Sequence, residues 1–468
     1  MAPRLTRRDL MRILSAAGFG AAVSSTVVPE ASADPPAPAP ADPPATAPRE
    51  RQPIEPTTAP HPPARLSGGQ VIQPERVLPV LHETDVLVAG GGAAGFAAAV
   101  AAARAGARTA IVERYGYFGG LWTGGLVLLV ISTHALRDGG RVQVVRGIGG
   151  ELLERLGRLD RGIINHAPDR INPTVDPEAT KFVMDEMTRE AGVTVLLHCW
   201  AVDPVMDGRE VRGVVVESKA GRQAVLAKVV VDATGDGDVF AAAGAEHEQV
   251  LHAIGLVHRL GNVDRVTAAE RERIGGKNPR RALGAATPHP SVTWVNLRGP
   301  SADALDVADL SRLELDHRRA IWQRVQKLRE QTGNDDLFLL DVAPQLGVRT
   351  SRLLAGTHRL TYDESRQPKA FPDTIAVGGA QGGNHKPWPI PFGVLVPKQL
   401  DGLLAAGRCV CVDNRLIEDM RLIGACLTTG HAAGAAAAIA ARQGCRPRDV
   451  DVPALRKLLA DQGAYLGA

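Results

Sequence analysis

From position 84 onward, short apolar runs alternate with stretches of helical length. Residues 84–89 (TDVLVA) are apolar and rich in β-branched side chains, the pattern of a strand buried on both faces. Six residues of glycine and alanine follow, and residues 96–105 then read as an Ala-rich helix closed by Gly106. Residues 108–112 predict a second strand ending at Glu113. Asp176-Pro177 is an N-cap with proline at the first helical position. Phe182, Val183 and Met187 give that helix an apolar face, and Gly192 stops it. Residues 193–197 predict a further strand. Residues 201–206 and 210–217 flank Asp207-Gly208 and predict a hairpin, and residues 223–226 add a third short strand after the turn at Gly221. On this reading three antiparallel strands interrupt a doubly wound α/β sheet. Residues 229–231 return to it and end in the run Asp232-Ala233-Thr234-Gly235-Asp236-Gly237-Asp238.

The segment between the first two strands carries chemistry. Gly90, Gly92 and Gly95 form G-x-G-x-x-G between a strand and a helix. Gly90 serves the tight turn, Gly92 lets the backbone approach a pyrophosphate, and Gly95 lets helix and strand pack closely. Ala93 and Ala94 open the helix, whose free N–H groups and partial positive charge suit a phosphate. Glu113 lies eighteen residues after Gly95, where an acid accepts hydrogen bonds from ribose hydroxyls. Strand, loop, helix, strand and terminal acid together predict a bound dinucleotide, and the fingerprint alone does not separate FAD from NAD.

Residues before this fold read differently. Arg7-Arg8, an apolar small-residue stretch over 13–28 and Ala31-Ser32-Ala33 occur in the order of a signal peptide and resemble a twin-arginine export signal over residues 1–33. Export by that route is therefore expected. Residues 34–76 begin with a Pro/Ala/Thr-rich stretch that cannot bury a core and predict a disordered linker. The folded part is expected at 77–247 and 391–468, with a substrate or cap domain inserted at 248–390. Composition adds little to this. Net charge is +3, much of it from Arg4, Arg7, Arg8 and Arg12, so neither nucleic acid nor an anionic membrane is expected as a partner. The hydrophobic fraction is 44% but aromatics are only 4%, so Ala, Val and Leu must fill the core. No stable membrane span is expected after the leader. The five cysteines make no disulfide framework. Cys409 and Cys411 read as two thiols packed on one strand face, and with no second pair at zinc-like spacing no metal is expected.

With these segments in place the chain resembles the FAD-dependent oxidoreductase family of the glutathione-reductase-like superfamily, over residues 84–441. The flavin part of heterodisulfide reductase is a relative, and fumarate reductase flavoproteins are more distant. The residues that carry the resemblance are Glu113-Arg114-Tyr115-Gly116, the run from Phe118 to Gly125, Gly147-Ile148-Gly149-Gly150, the run from Asp232, Gly347-Val348-Arg349 before Ser351-Arg352, and Ala406-Gly407-Arg408. Thr350 departs from the acid found in many relatives. The resemblance implies FAD in an extended pose on a Rossmann-type domain. Gly90, Gly92, Ala93, Ala94 and Gly95 would hold the pyrophosphate, and Glu113 with Arg114 the adenosine side. Gly119, Gly120 and Thr123 would lie along the flavin, and Val202 would meet the adenine through its backbone. Thr234, Gly235 and Asp236 would close over the cofactor, and Gly407 and Arg408 would approach the ribityl chain or pyrophosphate. Thr429, at the start of a helix aimed at the flavin pyrimidine, would favour negative charge at N1 and O2.

Candidates for the reaction are His385 as a base and Arg349 and Arg421 as binders of a carboxylate or carbonyl oxygen, with Arg352 and His358 behind them. The expected activity is hydride removal from a small organic substrate onto FAD, with electrons passing to O2, a quinone or another carrier such as a redox protein. The alternatives are a flavin hydroxylase, an exported electron-transfer flavoprotein without its own substrate, and an NAD-only enzyme. The absence of a second complete fingerprint for a nicotinamide donor disfavours the hydroxylase.

Overall fold

The fold is built around the fingerprint strand. A computed structural model describes residues 62–165, 172–275, 283–367, 370–379 and 386–467. Val80–Ala89 forms β1, Ala93–Arg104 α1 and Thr109–Glu113 β2, followed by α2 (Pro177–Glu190) and β3 (Thr194–Leu197). The chain then runs antiparallel through β4 (Trp200–Asp207), β5 (Glu210–Ser218) and β6 (Gly221–Asp232). A second sheet contains β7 (Leu256–Gly261), β8 (Thr293–Leu297) and, after the long helix α3 (Val307–Thr332), β9 (Phe338–Val342). Leu403–Ala405 is β10 and Ile423–Gln443 is α4.

The main sheet has seven strands in the order β4-β5-β6-β1-β2-β3, with β10 paired to the end of β6. The contacts β6–β1, β1–β2, β2–β3 and β6–β10 are parallel. The apolar ends of β1 and β2 are fully buried, as expected of strands covered on both faces. Here the structure corrects the sequence reading. Residues 223–226 and 229–231 are not an insert strand and a returning strand but one strand, β6. Its first half pairs with β5 and its last residues with β10, while β1 runs along its other edge. The antiparallel strands therefore extend the sheet instead of interrupting it.

Alanine-rich helices need close approach to bury enough area. On α4, a side chain at Gly430 would meet Ala94 O at 2.1 Å and one at Gly434 would meet Ala98 O at 2.1 Å. The spacing of four puts both glycines on one helical face, against the matching face of α1. Among the described residues α4 is the one helix long and apolar enough to cross a membrane, but 83% of its apolar window is buried inside the protein, as in a core helix.

The second sheet, order Ala285–Ala286, β8, β7, β9, is antiparallel throughout. It has its own core, in which Leu256, Val257, Trp294, Leu313 and Ile321 pack together. This roof is narrower than residues 248–390. Leu353, Leu354, Ile375, Val377 and Trp388 pack into the main core instead. A short exposed hairpin, Arg65–Ser67 with Gln70–Ile72, also forms within the stretch read as a linker. Cys409 and Cys411 are buried as expected, but in a turn after β10 and not in a strand.

Candidate functional site

The turn after β1 is shaped by what it cannot hold. Gly90 has φ +99°, and a Cβ there would lie 2.5 Å from Ala233 O. A Cβ on Gly95 would lie 1.8 Å from Gly90 O, so the first turn of α1 presses directly on the loop. At Gly92 a Cβ would meet nothing within 4 Å, because this residue faces open space. Gly92 is also the N-cap of α1, and no side chain caps the helix. The orphan N–H groups at that end are therefore left for a ligand.

That open space is a cavity of about 390 Å³. Its floor includes Gly90, Gly92, Ala93, Ala94, Gly119 and Gly120. Thr234, Gly235, Gly407 and Arg408 border it from the ends of β6 and β10. Its other wall comes from the roof, with Val257, Trp294, Asn296, Arg298, Gln345 and Arg349. A smaller recess of about 40 Å³ continues past Gly90, Glu113, Arg114 and Thr234 to Cys199, Trp200 and Ala201.

Glu113 sits between the two spaces. Its Oε2 accepts from Gly91 N at 2.6 Å and its Oε1 from Tyr115 N at 2.9 Å. Burial raises its pKa, while those two N–H groups work the other way. Each oxygen keeps lone pairs for further donors. Arg114 stacks over Tyr115 and Trp200, 4.9 and 5.3 Å from the ring centroids, and so frames the recess.

Several predicted residues act at one remove. Asp236 does not line the cavity. Its carboxylate accepts from Arg408 Nη2 at 2.8 Å and from Ser351 Oγ at 2.6 Å. Burial disfavours charge on both partners, yet the pair keeps Asp236 below the usual carboxylate range and raises the pKa of Arg408. Thr123 is buried and donates to Phe118 O, fixing the turn after Gly120 rather than facing the cavity. Val202 does not line the recess, which Ala201 does. The register shift between Ala201 and Asp203 makes Val202 the extra residue of a bulge. Thr429 lies in the second turn of α4, not at its start. It is buried, accepts from Gly407 N at 3.2 Å and does not reach the cavity. The N-terminus of α4 is at Leu422 and Ile423, which do line the cavity, and it too lacks a side-chain cap.

Of the reaction candidates, Arg349 and Arg421 both line the cavity, whereas His385 lies outside the described residues. Arg349 Nη1 donates to Ala253 O at 2.6 Å, and burial, with Arg421 and Arg298 nearby, lowers its pKa. Arg421 pairs with Glu418, whose other oxygen meets His252 Nε2 at 2.6 Å. Arg352 is committed to Asp238 at 2.9 Å, and His358 lies 3.4 Å from Glu364 and against Phe371. The sequence reading missed Trp294, Asn296 and Arg298. Their alternation along β8 and the residue after it was the one available signal of a shared face. It also missed Gln345 and Glu418.

The residues present fit FAD. The uncapped end of α1 beside Gly92 would take the pyrophosphate, Glu113 the adenosine ribose, the recess past Ala201 the adenine, and the uncapped end of α4 the flavin pyrimidine. The match to a family model agrees. A family model described as FAD dependent oxidoreductase matches residues 85–459. Among solved structures, a geranylgeranyl bacteriochlorophyll reductase-like protein from Thermoplasma acidophilum is 14% identical, covering 82% of this chain and 84% of that one with a TM-score of 0.41. The p-nitrophenol 4-monooxygenase of Pseudomonas putida DLL-E4 is 14% identical, covering 81% and 84% with a TM-score of 0.42. The search of curated proteins returned no match. With the match over residues 85–459, the chain belongs to the FAD-dependent oxidoreductase family, and its cofactor is FAD.

Proposed function

We propose that this enzyme removes a hydride from a small organic substrate and passes the electrons to O2, a quinone or another carrier. One observation carries the reading: the fingerprint loop and the roof side chains line the same cavity. A cofactor laid along the floor then leaves the roof end as the space beside its reactive ring. Bound FAD supplies the two-electron acceptor. The chain's own residues do the positioning. The α1 terminus would hold the negative charge of the pyrophosphate midway along the cofactor, and the α4 terminus would favour negative charge at its flavin end. Trp294, Val257 and Leu121 exclude water from the space between, and Arg349 and Arg421 line its roof end. The test is anaerobic mixing of the purified yellow protein with a substrate panel, followed by admission of air. Loss of the flavin absorbance with one substrate class, and its return in air or with a quinone, is the expected result. Bleaching by a reduced nicotinamide, with hydroxylation of an added substrate in air, would replace this reading with a hydroxylase.

We also propose that residues 1–33 send the folded enzyme out of the cytoplasm, on the strength of Arg7-Arg8 and Ala31-Ser32-Ala33. Cell fractionation of the double variant Arg7→Lys, Arg8→Lys should find the protein retained inside. Unchanged export would refute it.

A further inference from the structure

The roof end of the cavity is unbalanced in charge. Arg298, Arg349 and Arg421 all line it. Facing them in that part of the wall is one carboxylate, Glu418, and it is shared between Arg421 and His252. The remaining acids near the cavity are engaged elsewhere: Asp236 with Arg408 and Ser351, Glu113 with the backbone at the opposite end. Arg349 reaches only a carbonyl, Ala253 O, and Arg298 has no hydrogen-bond or ion-pair partner among the described residues. Like charges on one wall repel, and the half-buried Arg349, between Arg421 and the exposed Arg298, feels both of its neighbours. Excess cationic charge at one end of a cavity is stabilised when an anionic, acceptor-rich group enters it.

We propose that the substrate carries a carboxylate, and that Arg298, Arg349 and Arg421 bind it at the roof end of the cavity. The proposal rests on FAD occupying the floor. The guanidinium groups are planar and suit the two oxygens of a carboxylate, and their sites on separate elements fix its direction relative to the floor. A neutral isostere of the same shape brings fewer acceptors and no charge, so it leaves the arginines unpaired.

The experiment titrates the FAD-loaded protein with acetate, succinate and benzoate, and in parallel with acetamide, succinamide and benzamide. Binding is read from the perturbed flavin absorbance and from the thermal midpoint, so turnover is not needed. At least one acid should bind roughly tenfold or more tighter than its amide. Added chloride should weaken the acid and leave the amide unchanged. Arg349→Met should weaken the acid by about tenfold or more with flavin content per chain unaltered, and Arg349→Lys should restore part of the loss. If Arg349→Met fails to fold, Arg298→Met replaces it. Yellow protein that binds acids and amides equally, binds no acid, or ignores these substitutions would overturn the proposal while leaving the FAD reading intact. Colourless protein would instead strike at the FAD reading.

Discussion

The two walls of the cavity are made in opposite ways. The floor is largely backbone: Gly90, Gly92, Ala93, Ala94 and Gly119 carry a methyl or no side chain, and free N–H groups come from the uncapped first turn of α1. The roof is side chains: Trp294, Asn296, Arg298, Gln345 and Arg349 present rings, amides and guanidinium groups. A floor of glycines suits a dinucleotide and tolerates almost no substitution, because the room of each missing Cβ is taken by neighbouring atoms or left to the ligand. A roof of side chains is free to change its chemistry while its backbone stays put. The common task is thus written in backbone and the particular task in side chains. Asp236 links two further segments, holding Arg408 at the cavity's border after β10 and Ser351 of the segment that leaves the roof.

Substitutions on each wall test that contrast. The largest effect is expected in the floor. Gly95→Val places a branched side chain on Gly90 O, and flavin absorbance per chain should fall to background with a loss of folding free energy of about 3 kcal/mol or more, measured by urea unfolding. A variant that stays yellow would show that the floor yields more than its geometry suggests. Next is the link. Asp236→Ala leaves Arg408, whose side chain is 14% exposed, without its counter-charge and should cost about 2–3 kcal/mol by the same measurement, with weakened FAD retention on dialysis. Smaller again is the roof. Trp294→Leu should keep full flavin content and lower kcat/KM for whichever substrate bleaches the flavin. Equal loss of flavin would erase the distinction between the walls.

A separate effect concerns acid. His431, in α4 of the floor, and His258, in β7 of the roof, are both buried, and burial pushes each down to about 4 from an ordinary value of 6.5. Both are neutral when folded, and the unfolded chain takes up protons first. The stability they contribute is complete above about pH 6.5 and is lost as pH falls through about 4. The urea midpoint should therefore drop between pH 7 and 4.5. The two rings differ in their partners, since His431 Nε2 meets Gln462 Oε1 at 2.7 Å while neither nitrogen of His258 has one among the described residues. His258→Leu should flatten the pH dependence and keep stability at pH 7, whereas His431→Leu should flatten it and lose stability by stranding Gln462 Oε1.

Much of the floor is legible in the amino-acid order. A glycine that must avoid Ala233 O and another that must avoid Gly90 O leave their mark at fixed spacing, and Glu113 ends its strand where the ribose end requires an acid. Asp176 capping α2 through Ala179 N is equally local. The reading failed where pairing was non-local. Whether residues 223–231 form one strand or two depends on β1, β5 and β10, which lie far apart in the chain. The start of α4 was expected near Thr429, which looks like a cap. In the fold Thr429 bonds to Gly407 from the second turn.

Local order alone thus settles the loop, the helix that follows it and the acid at Glu113, because each is enforced by contacts a few residues long or by an absent side chain. Folding of the whole chain was needed to bring Arg298, Arg349 and Arg421 to one wall, to turn Asp236 toward Arg408 rather than the cavity, and to end the roof near residue 348. Those facts arise from strands and turns separated by tens to hundreds of residues. Their meeting is set by packing and strand pairing across the whole chain, and no local pattern records it.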